Sequence, residues 1–416
     1  MSRSVVAQSF SLALALAAGC SAGDSAATDD ESDVVAQGVS VATPYPVDFP
    51  AKSRTPITNA ATAATLQYYG GPVIANPKVY VVWWGNPSKI NPALTAAKGG
   101  IADFFAGITN SKYLDWLNEY DTAIPVQAGS HAGSAGTGQH IGRGNYAGTL
   151  TLTTVPTGNV TDDQVQATLD AAITAGTLPL PDDNTIYAIY FPAGVTITLP
   201  GNGSSCSSFG AYHFATTETT RHRAYYLVMP DCGSSFKGFT DVTSHELIEA
   251  TTDAVPTPGS SPNFPQAWND SGGSESGDLC DGTSGTVKTA LGTFTVQGIW
   301  DEASHGCKVT RSYVKDFNVA FPKNTLSFVA GAKGTAQVQT QVVKGGGQPL
   351  TLSVIAPAGV TASISPNHIT SGGVATVTVS AAGAASAVQV IVRAEGTTGT
   401  APQSHTASLL LEVSAK

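Results

Sequence analysis

The chain has little positive charge. It carries 20 lysines and arginines against 30 aspartates and glutamates in 416 residues, which gives a formal net charge of −10 at pH 7. A protein that neutralises a phosphate backbone needs clustered lysines and arginines, and the sequence contains no run of them. The composition therefore argues against nucleic acid as a partner.

Long apolar runs are also missing. The stretch from Val5 to Ala18 contains polar residues and is shorter than the roughly 20 apolar residues that a membrane-spanning helix needs. It follows Arg3 and ends in small residues before Cys20, a pattern typical of a signal peptide. A cysteine at this place resembles the bacterial lipobox, although Ala17 stands where leucine is usual. We predict a lipoprotein signal peptide over 1–19 and membrane attachment by a lipid on Cys20, with plain secretion as the alternative.

Cysteine is scarce, with five residues in the chain. Setting Cys20 aside leaves an even four, which predicts two disulfides in an oxidising compartment. Local pairing would join Cys206 to Cys232 and Cys280 to Cys307, closing loops of about 26 residues, each worth roughly 3 kcal/mol. The other two pairings remain open. A cell-envelope or extracellular location is expected, as an outer-membrane lipoprotein or a secreted protein.

The pattern of apolar residues divides the chain into segments. Residues 20–60 are acidic and contain few large apolar side chains, so they are predicted to be a disordered tether. Over 61–312, apolar runs of strand length such as Val79–Trp84 alternate with helical patterns. The clearest helix, Thr161–Gly176, opens with a capping box formed by Thr161 and Gln164. We predict an α+β domain here, either zincin-like or an α/β domain with a mixed sheet.

The last segment, 323–416, shows period-two alternation of Val, Leu and Ala separated by Gly and Pro turns. Several short strands of this kind predict an all-β sandwich. The run Gly359–Pro366 followed by Ser371-Gly372-Gly373 resembles the immunoglobulin-like domains that are appended to secreted bacterial hydrolases. Because both predicted disulfides precede Arg311, deletion of 323–416 is expected to leave the first domain folded.

The strongest functional signal lies between Thr243 and Asp253. At about 100° per residue, the side chains of His245, Glu246, Glu249 and Asp253 point to one side of a helix. In zinc peptidases two ligands one turn apart hold the metal, and the Glu after the first ligand takes a proton from water. This spacing predicts His245 and Glu249 as zinc ligands and Glu246 as the catalytic base. The alternative is a solvated helix face that begins with a Thr243–Glu246 capping box.

A third ligand must come from outside this pair. Asp253 lies roughly 12 Å from His245 along a continuous helix, too far to share one ion. We predict Asp278, which a disulfide at Cys280 would hold in place, with Asp253 and Glu275 as alternatives. An acidic loop that binds calcium through Asp270, Glu275 and Asp278 is a further alternative.

His213 follows Cys206 among aromatic residues. It could polarise a substrate carbonyl or serve as a structural residue.

Two resemblances follow from these motifs. The order His245-Glu246-x-x-Glu249, then Trp268-x-Asp270 and Gly277-Asp278-x-Cys280, resembles secreted bacterial proteins described as zinc-binding. The run Tyr69–Val73 followed by Val79–Gly85 resembles the plant EXORDIUM or phosphate-induced family. That family is extracellular and lacks the His-Glu pair.

The resemblances imply two hypotheses for the function. The first is a zinc metallohydrolase, most simply a peptidase, acting on a peptide or a cell-surface polymer. The second is a non-catalytic envelope protein of the EXORDIUM type, which acts in surface interaction and holds a structural metal or none.

Replacing the proposed lipid-bearing residue tests the anchor. We expect Cys20→Ala to move the protein from the membrane fraction to the soluble fraction, because the lipid chain supplies most of the membrane affinity. Fractionation followed by immunoblotting measures the change. Equal membrane recovery of variant and wild type would refute the lipid anchor.

Overall fold

The computed structural model describes two parts of the chain that pack against each other. The described residues are 64–199, 203–216, 223–256, 262–311, 315–398 and 401–416. The predicted signal peptide and Cys20, together with the tether up to residue 60, lie outside them. Among the described helices, none is both long and apolar enough to cross a bilayer.

The first part mixes short helices with strands. Its helices are α1 (Pro92–Thr95), α2 (Ile101–Ile108), α3 (Lys112–Asp115), α4 (Asp162–Thr174) and α5 (Phe236–Thr252). Its strands are β1 (Gln67–Tyr68), β2 (Lys78–Trp84), β3 (Asn145–Leu152), β4 (Asn159–Thr161), β5 (Thr185–Tyr190), β6 (Thr196–Leu199), β7 (Gly203–Ser204), β8 (Tyr212–Ala215), β9 (Tyr225–Met229), β10 (Trp268–Asn269), β11 (Ser284–Thr289), β12 (Gly292–Gln297), β13 (Ile299–Asp301) and β14 (Gly306–Lys308). Turns of 3-10 helix lie at Pro87–Lys89, Leu117–Tyr120 and Asp278–Cys280.

A five-stranded mixed sheet in the order β3-β2-β5-β9-β8 forms the centre of this part. The first four strands run parallel, and β8 is an antiparallel edge strand paired with β9. Every residue of β2, β5 and β9 is buried. Strands covered on both faces have continuous apolar sequences, which is why the apolar run Val79–Trp84 predicted β2 correctly. A zincin-like architecture is not shown by this topology and remains a proposal.

The predicted capping box of α4 is confirmed. The side chain of Thr161 accepts a hydrogen bond from the backbone N–H of Gln164, and the Gln164 side chain accepts one from the N–H of Thr161. Val165 and Leu169 then pack into an apolar cluster against one face of the central sheet. Beyond the helix, Gly176 has a φ of 72°, a conformation that favours glycine at helix ends.

Helix α5 follows β9 and is buried along almost its whole length. Ser235 is its N-cap and accepts a hydrogen bond from the N–H of Gly238. The helix therefore begins well before Thr243, and the proposed Thr243–Glu246 capping box is wrong. The Thr243 hydroxyl instead lies 3.0 Å from the Tyr190 hydroxyl. Because α5 packs against β8, β9 and β12, its polar face points into the protein rather than into solvent.

Both disulfides form as predicted by local pairing. Cys206 bonds to Cys232 with a Cα–Cα distance of 5.2 Å, and Cys280 bonds to Cys307 with 5.5 Å. The first bridge ties the segment before β8 to the segment that enters α5. The second ties the Asp278–Cys280 turn to β14. Each bridge therefore fixes a segment that borders the buried polar face of α5.

The second part is the predicted all-β sandwich. Its strands are β15 (Asp316–Ala320), β16 (Thr325–Val329), β17 (Lys333–Lys344), β18 (Pro349–Ile355), β19 (Val360–Ser365), β20 (His368–Thr370), β21 (Val374–Ala381), β22 (Ala385–Thr398) and β23 (Ala401–Ser414). They form two sheets, β15-β17-β21-β19 and β16-β23-β22-β18-β20, around one apolar core. Because β15 pairs with β17, the sandwich begins at Asp316 rather than at residue 323.

A buried ion pair lies where the two parts meet. Nε and Nη2 of Arg143 each donate to Asp115 at 2.6 Å, and the two side chains are 3% and 8% exposed. Arg143 also donates from Nη1 to the carbonyl of Val319, and its backbone N–H donates to the hydroxyl of Thr406. The sandwich therefore covers charged groups of the first part. The folding of the first part without residues 323–416 stays a prediction.

This ion pair gives a stability prediction. We expect Asp115→Asn to lower the free energy of unfolding by about 3 kcal/mol, because it leaves a buried guanidinium without its countercharge. Urea unfolding measures the loss. Asp183→Asn, at an exposed site, is the control and should change it by less than about 0.5 kcal/mol. Equal effects of the two substitutions would contradict this account of the interface.

Candidate metal centre

The polar face of α5 forms the floor of a buried cluster of ionisable groups. His245, Glu246 and Glu249 are 4%, 1% and 3% exposed. A buried charge is costly unless it is paired, hydrogen-bonded or bound to a metal. The partners of these three side chains therefore decide what the cluster can do.

The three predicted zinc ligands come together. Nε2 of His245 lies 3.1 Å from Oε2 of Glu249. One ligand atom from each of His245, Glu249 and Asp278 lies within 4.8 Å of the other two. The spacing of one helical turn that predicted the first two ligands thus produces a converging pair, and a loop supplies the third ligand, Asp278.

Asp278 is held in place by its own backbone and by the disulfide beside it. Its N–H donates to Oε1 of Glu249 at 2.9 Å, and its carboxylate accepts from the N–H of Glu275 at 3.1 Å. Asp278 opens the 3-10 turn that ends at Cys280, which is bonded to Cys307. These contacts fix the loop against α5.

Gln297 determines which nitrogen of His245 faces the cluster. Oε1 of Gln297 lies 3.0 Å from Nδ1 of His245, and Nε2 of Gln297 donates to the carbonyl of Gly277 at 2.8 Å. Since that donation fixes the amide orientation, Nδ1 of His245 donates to Gln297, and Nε2 is the nitrogen directed toward Glu249. Metal-binding histidines commonly donate their second N–H to an oxygen in this way. Sequence analysis missed Gln297, because nothing in its neighbourhood marks it as a partner of His245.

His213 belongs to the cluster as well. Strand β8 places its Nδ1 3.5 Å from Oε2 of Glu246 and 3.7 Å from Oε2 of Glu249. Its Nε2 lies 3.5 Å from Oε1 of Glu275 and 3.2 Å from the carbonyl oxygen of Asp253. His213, Glu246 and Glu249 form a second set of potential ligands within 4.8 Å of one another. The sequence singled out His213 without connecting it to the helix.

The two alternatives for the third ligand lie outside both sets. Helix α5 ends at Thr252, and the Asp253 carboxylate accepts hydrogen bonds from the N–H of Ala267 and from Nδ2 of Asn269. Asp253 therefore connects α5 to the following loop. Glu275 lies beside His213, and its Oε1 has no hydrogen-bond partner among the described residues.

The electrostatics of the cluster follow from burial. Burial, together with the charge of Glu249, raises the pKa of Asp278 to about 8 and that of Glu275 well above its usual range. Burial also disfavours ionised Glu249, but the charge of His245 lowers the pKa of this carboxyl. Burial lowers the pKa of His245. The neighbouring carboxylates, Glu249 above all, raise it by more, so the pKa of His245 lies above its usual value. The acidic groups outnumber the basic ones and so favour an added cation.

Three buried polar atoms support a bound cation in this cluster. Nε2 of His245, Oε1 of Glu246 and Oε1 of Glu275 have no hydrogen-bond partner among the described residues. Buried polar atoms without partners are rare, and a bound ion is one of the explanations for them. Imidazole nitrogen together with carboxylate oxygen suits zinc, whereas calcium prefers oxygen ligands alone. The residues therefore fit a divalent cation of the zinc type.

Comparisons with known proteins find distant structural similarity. No protein-family model and no curated protein matches the sequence. Domains 4 and 5 of the S-layer protein SbsC align at 19% identity with a TM-score of 0.18, over 32% of this chain and 63% of that chain. The D00-D0 domain of intimin aligns at 15% identity and 0.18, over 31% and 62%. The chain thus spans less than two thirds of either structure, and this similarity carries no argument about function.

Gly277 gives a test of the cluster geometry. A methyl group at this position would lie 2.8 Å from Oε1 of Glu249 and 2.9 Å from Nδ1 of His245. We expect Gly277→Ala to displace both side chains and to weaken zinc binding by about tenfold or more, a loss typical of a disturbed outer shell. Competition with a chromophoric chelator measures the affinity.

Gly210→Ala is the matched control, because a methyl group there meets no atom within 4 Å. If both variants bind zinc with the affinity of the wild type, Gly277 does not lie in close contact with Glu249 and His245, and the described geometry is wrong.

Proposed function

We propose that this protein is a cell-surface zinc hydrolase, most simply a peptidase. His245, Glu249 and Asp278 hold the ion, and Glu246 is the general base. The observation that carries the proposal is the position of His245 Nε2, which lies 3.1 Å from Oε2 of Glu249 while Nδ1 is held by Gln297. That arrangement is what a metal-binding imidazole requires.

The ion and the side chains have different roles in the proposed hydrolysis. Bound zinc polarises a carbonyl and lowers the pKa of water to about 7. Glu246 follows the first ligand directly on α5, and its Oε1 has no hydrogen-bond partner among the described residues. A carboxylate in this position accepts the proton of the attacking water and passes it to the leaving amine.

The fold and the predicted export support a substrate outside the cell. Helix α5 lies against a mixed sheet with an antiparallel edge strand, β8, beside its polar face. This resembles a zincin-like arrangement. The two disulfides suit an oxidising compartment, and the lipid on Cys20 would hold the protein at the envelope. A peptide or a peptide-bearing cell-surface polymer is therefore the proposed substrate.

Burial favours a second candidate function. Glu246 is only 1% exposed, and a structural metal site is closed whereas a catalytic one keeps a position open. In this alternative the ion stabilises a non-catalytic surface protein of the EXORDIUM type, and Glu246 is a further ligand or an ion-pair partner of His213.

Substitutions at adjacent residues separate the two candidates. We expect Glu246→Gln to keep the zinc held by His245, Glu249 and Asp278 and to lower hydrolysis of a peptide library by a factor on the order of 10² to 10⁴, because the shape is kept and the base is lost. His245→Ala should lose zinc and hydrolysis together. Glu395→Gln, at an exposed position of the sandwich, is the control. Elemental analysis and mass spectrometry of peptide products provide the two readouts.

Two results would reject the hydrolase. One is a zinc-loaded wild type that cleaves no peptide in the library. The other is full activity in Glu246→Gln. Zinc that is present without hydrolysis, and whose removal lowers the melting temperature, would establish the structural alternative.

A further inference from the structure

The cluster contains more potential ligands than one ion uses. Five acidic side chains and two histidines lie together inside the protein; the acidic ones are Glu246, Glu249, Asp253, Glu275 and Asp278. The first set uses two of the five carboxylates, Glu249 and Asp278, and leaves three. His213, Glu246 and Glu249 form the second set of potential ligands.

The distances in the second set are longer than those of charge-assisted hydrogen bonds. Nδ1 of His213 lies 3.5 Å from Oε2 of Glu246 and 3.7 Å from Oε2 of Glu249. A charge-assisted N–H to carboxylate hydrogen bond is about 2.7–2.9 Å long. Two zinc ligands with bonds of roughly 2.0–2.2 Å at a tetrahedral angle lie roughly 3.4 Å apart. The observed spacing therefore matches atoms that surround a common ion.

An independent observation points to the same place. Oε1 of Glu246 is buried and has no hydrogen-bond partner among the described residues, although the side chain is only 1% exposed. His213 is 4% exposed and lies across from it. A carboxylate buried to this degree needs a countercharge, and a cation between Glu246 and His213 supplies one.

We infer that His213, Glu246 and Glu249 form a second divalent-cation site, which shares Glu249 with the first. Oε2 of Glu249 lies close to both histidines, at 3.1 Å from Nε2 of His245 and 3.7 Å from Nδ1 of His213. One nitrogen and two carboxylates suit zinc or a similar transition-metal ion. The inference rests on the metal centre of the proposed function and not on its hydrolytic activity.

Metal stoichiometry tests this inference. The purified chain is stripped with a chelator, reloaded with zinc, desalted and analysed for zinc per chain. We expect about two ions for the wild type and about one each for His213→Asn and Asp278→Asn, since each variant loses a ligand of one set. His368→Asn, at an exposed histidine, is the control and should keep two. Thermal melting confirms that each variant is folded.

Several results would overturn the second site. A wild type that holds one ion excludes it, whether or not His213→Asn keeps that ion. Two ions in both the wild type and His213→Asn exclude His213 as a ligand. If His213→Asn does not fold, Glu246→Gln takes its place in the test. A Glu246→Gln variant that still holds two ions would contradict the second site.

The test also separates this inference from the proposed function. Two ions without hydrolysis would reject the hydrolase and keep the second site. Hydrolysis with a single ion would keep the hydrolase and reject the second site.

Discussion

The burial of charge along α5 is the constraint on which the rest of the first part depends. His245, Glu246 and Glu249 lie on a helix that packs against β8, β9 and β12, so water reaches none of them freely. Desolvation of three such groups would oppose folding unless other groups compensate. The surrounding loops supply this compensation through backbone N–H groups, a glutamine amide and a second histidine. The loop that carries Asp278 and the strand that carries His213 are therefore parts of one electrostatic unit.

The two disulfides and the interface explain how this unit keeps its shape. Cys206–Cys232 and Cys280–Cys307 each border a segment that contributes a potential ligand. A ligand on a loop loses conformational entropy when it binds a metal, and a crosslink removes part of that cost beforehand. Gly277 allows the loop to approach α5 closely, because a side chain there would collide with two ligands. The sandwich adds rigidity on another side, where it covers the Arg143–Asp115 pair.

Local sequence patterns predicted the features that depend on neighbours in the chain. The spacing of His245 and Glu249, the capping box at Thr161 and the pairing of cysteines about 26 residues apart are all of this type. The position of His213 could not be read in this way, because it depends on β8 pairing with β9 beside α5. The same holds for Gln297, which reaches His245 from β12. Amphipathic spacing also cannot distinguish a solvent-exposed polar face from one buried against other polar groups.

Glu246 has a different role in each proposal, as a general base in one and as a metal ligand in the other. As a general base it needs a free oxygen near water, and its Oε1 has no hydrogen-bond partner among the described residues. As a ligand of a second ion it uses Oε2, which faces His213 at 3.5 Å. An ion bound there withdraws electron density from the carboxylate and lowers its basicity, so the second site opposes proton transfer. The shared Glu249 couples the two sites further, because two cations on one carboxylate repel each other and the second binds more weakly. The first ion would therefore be held more tightly than the second.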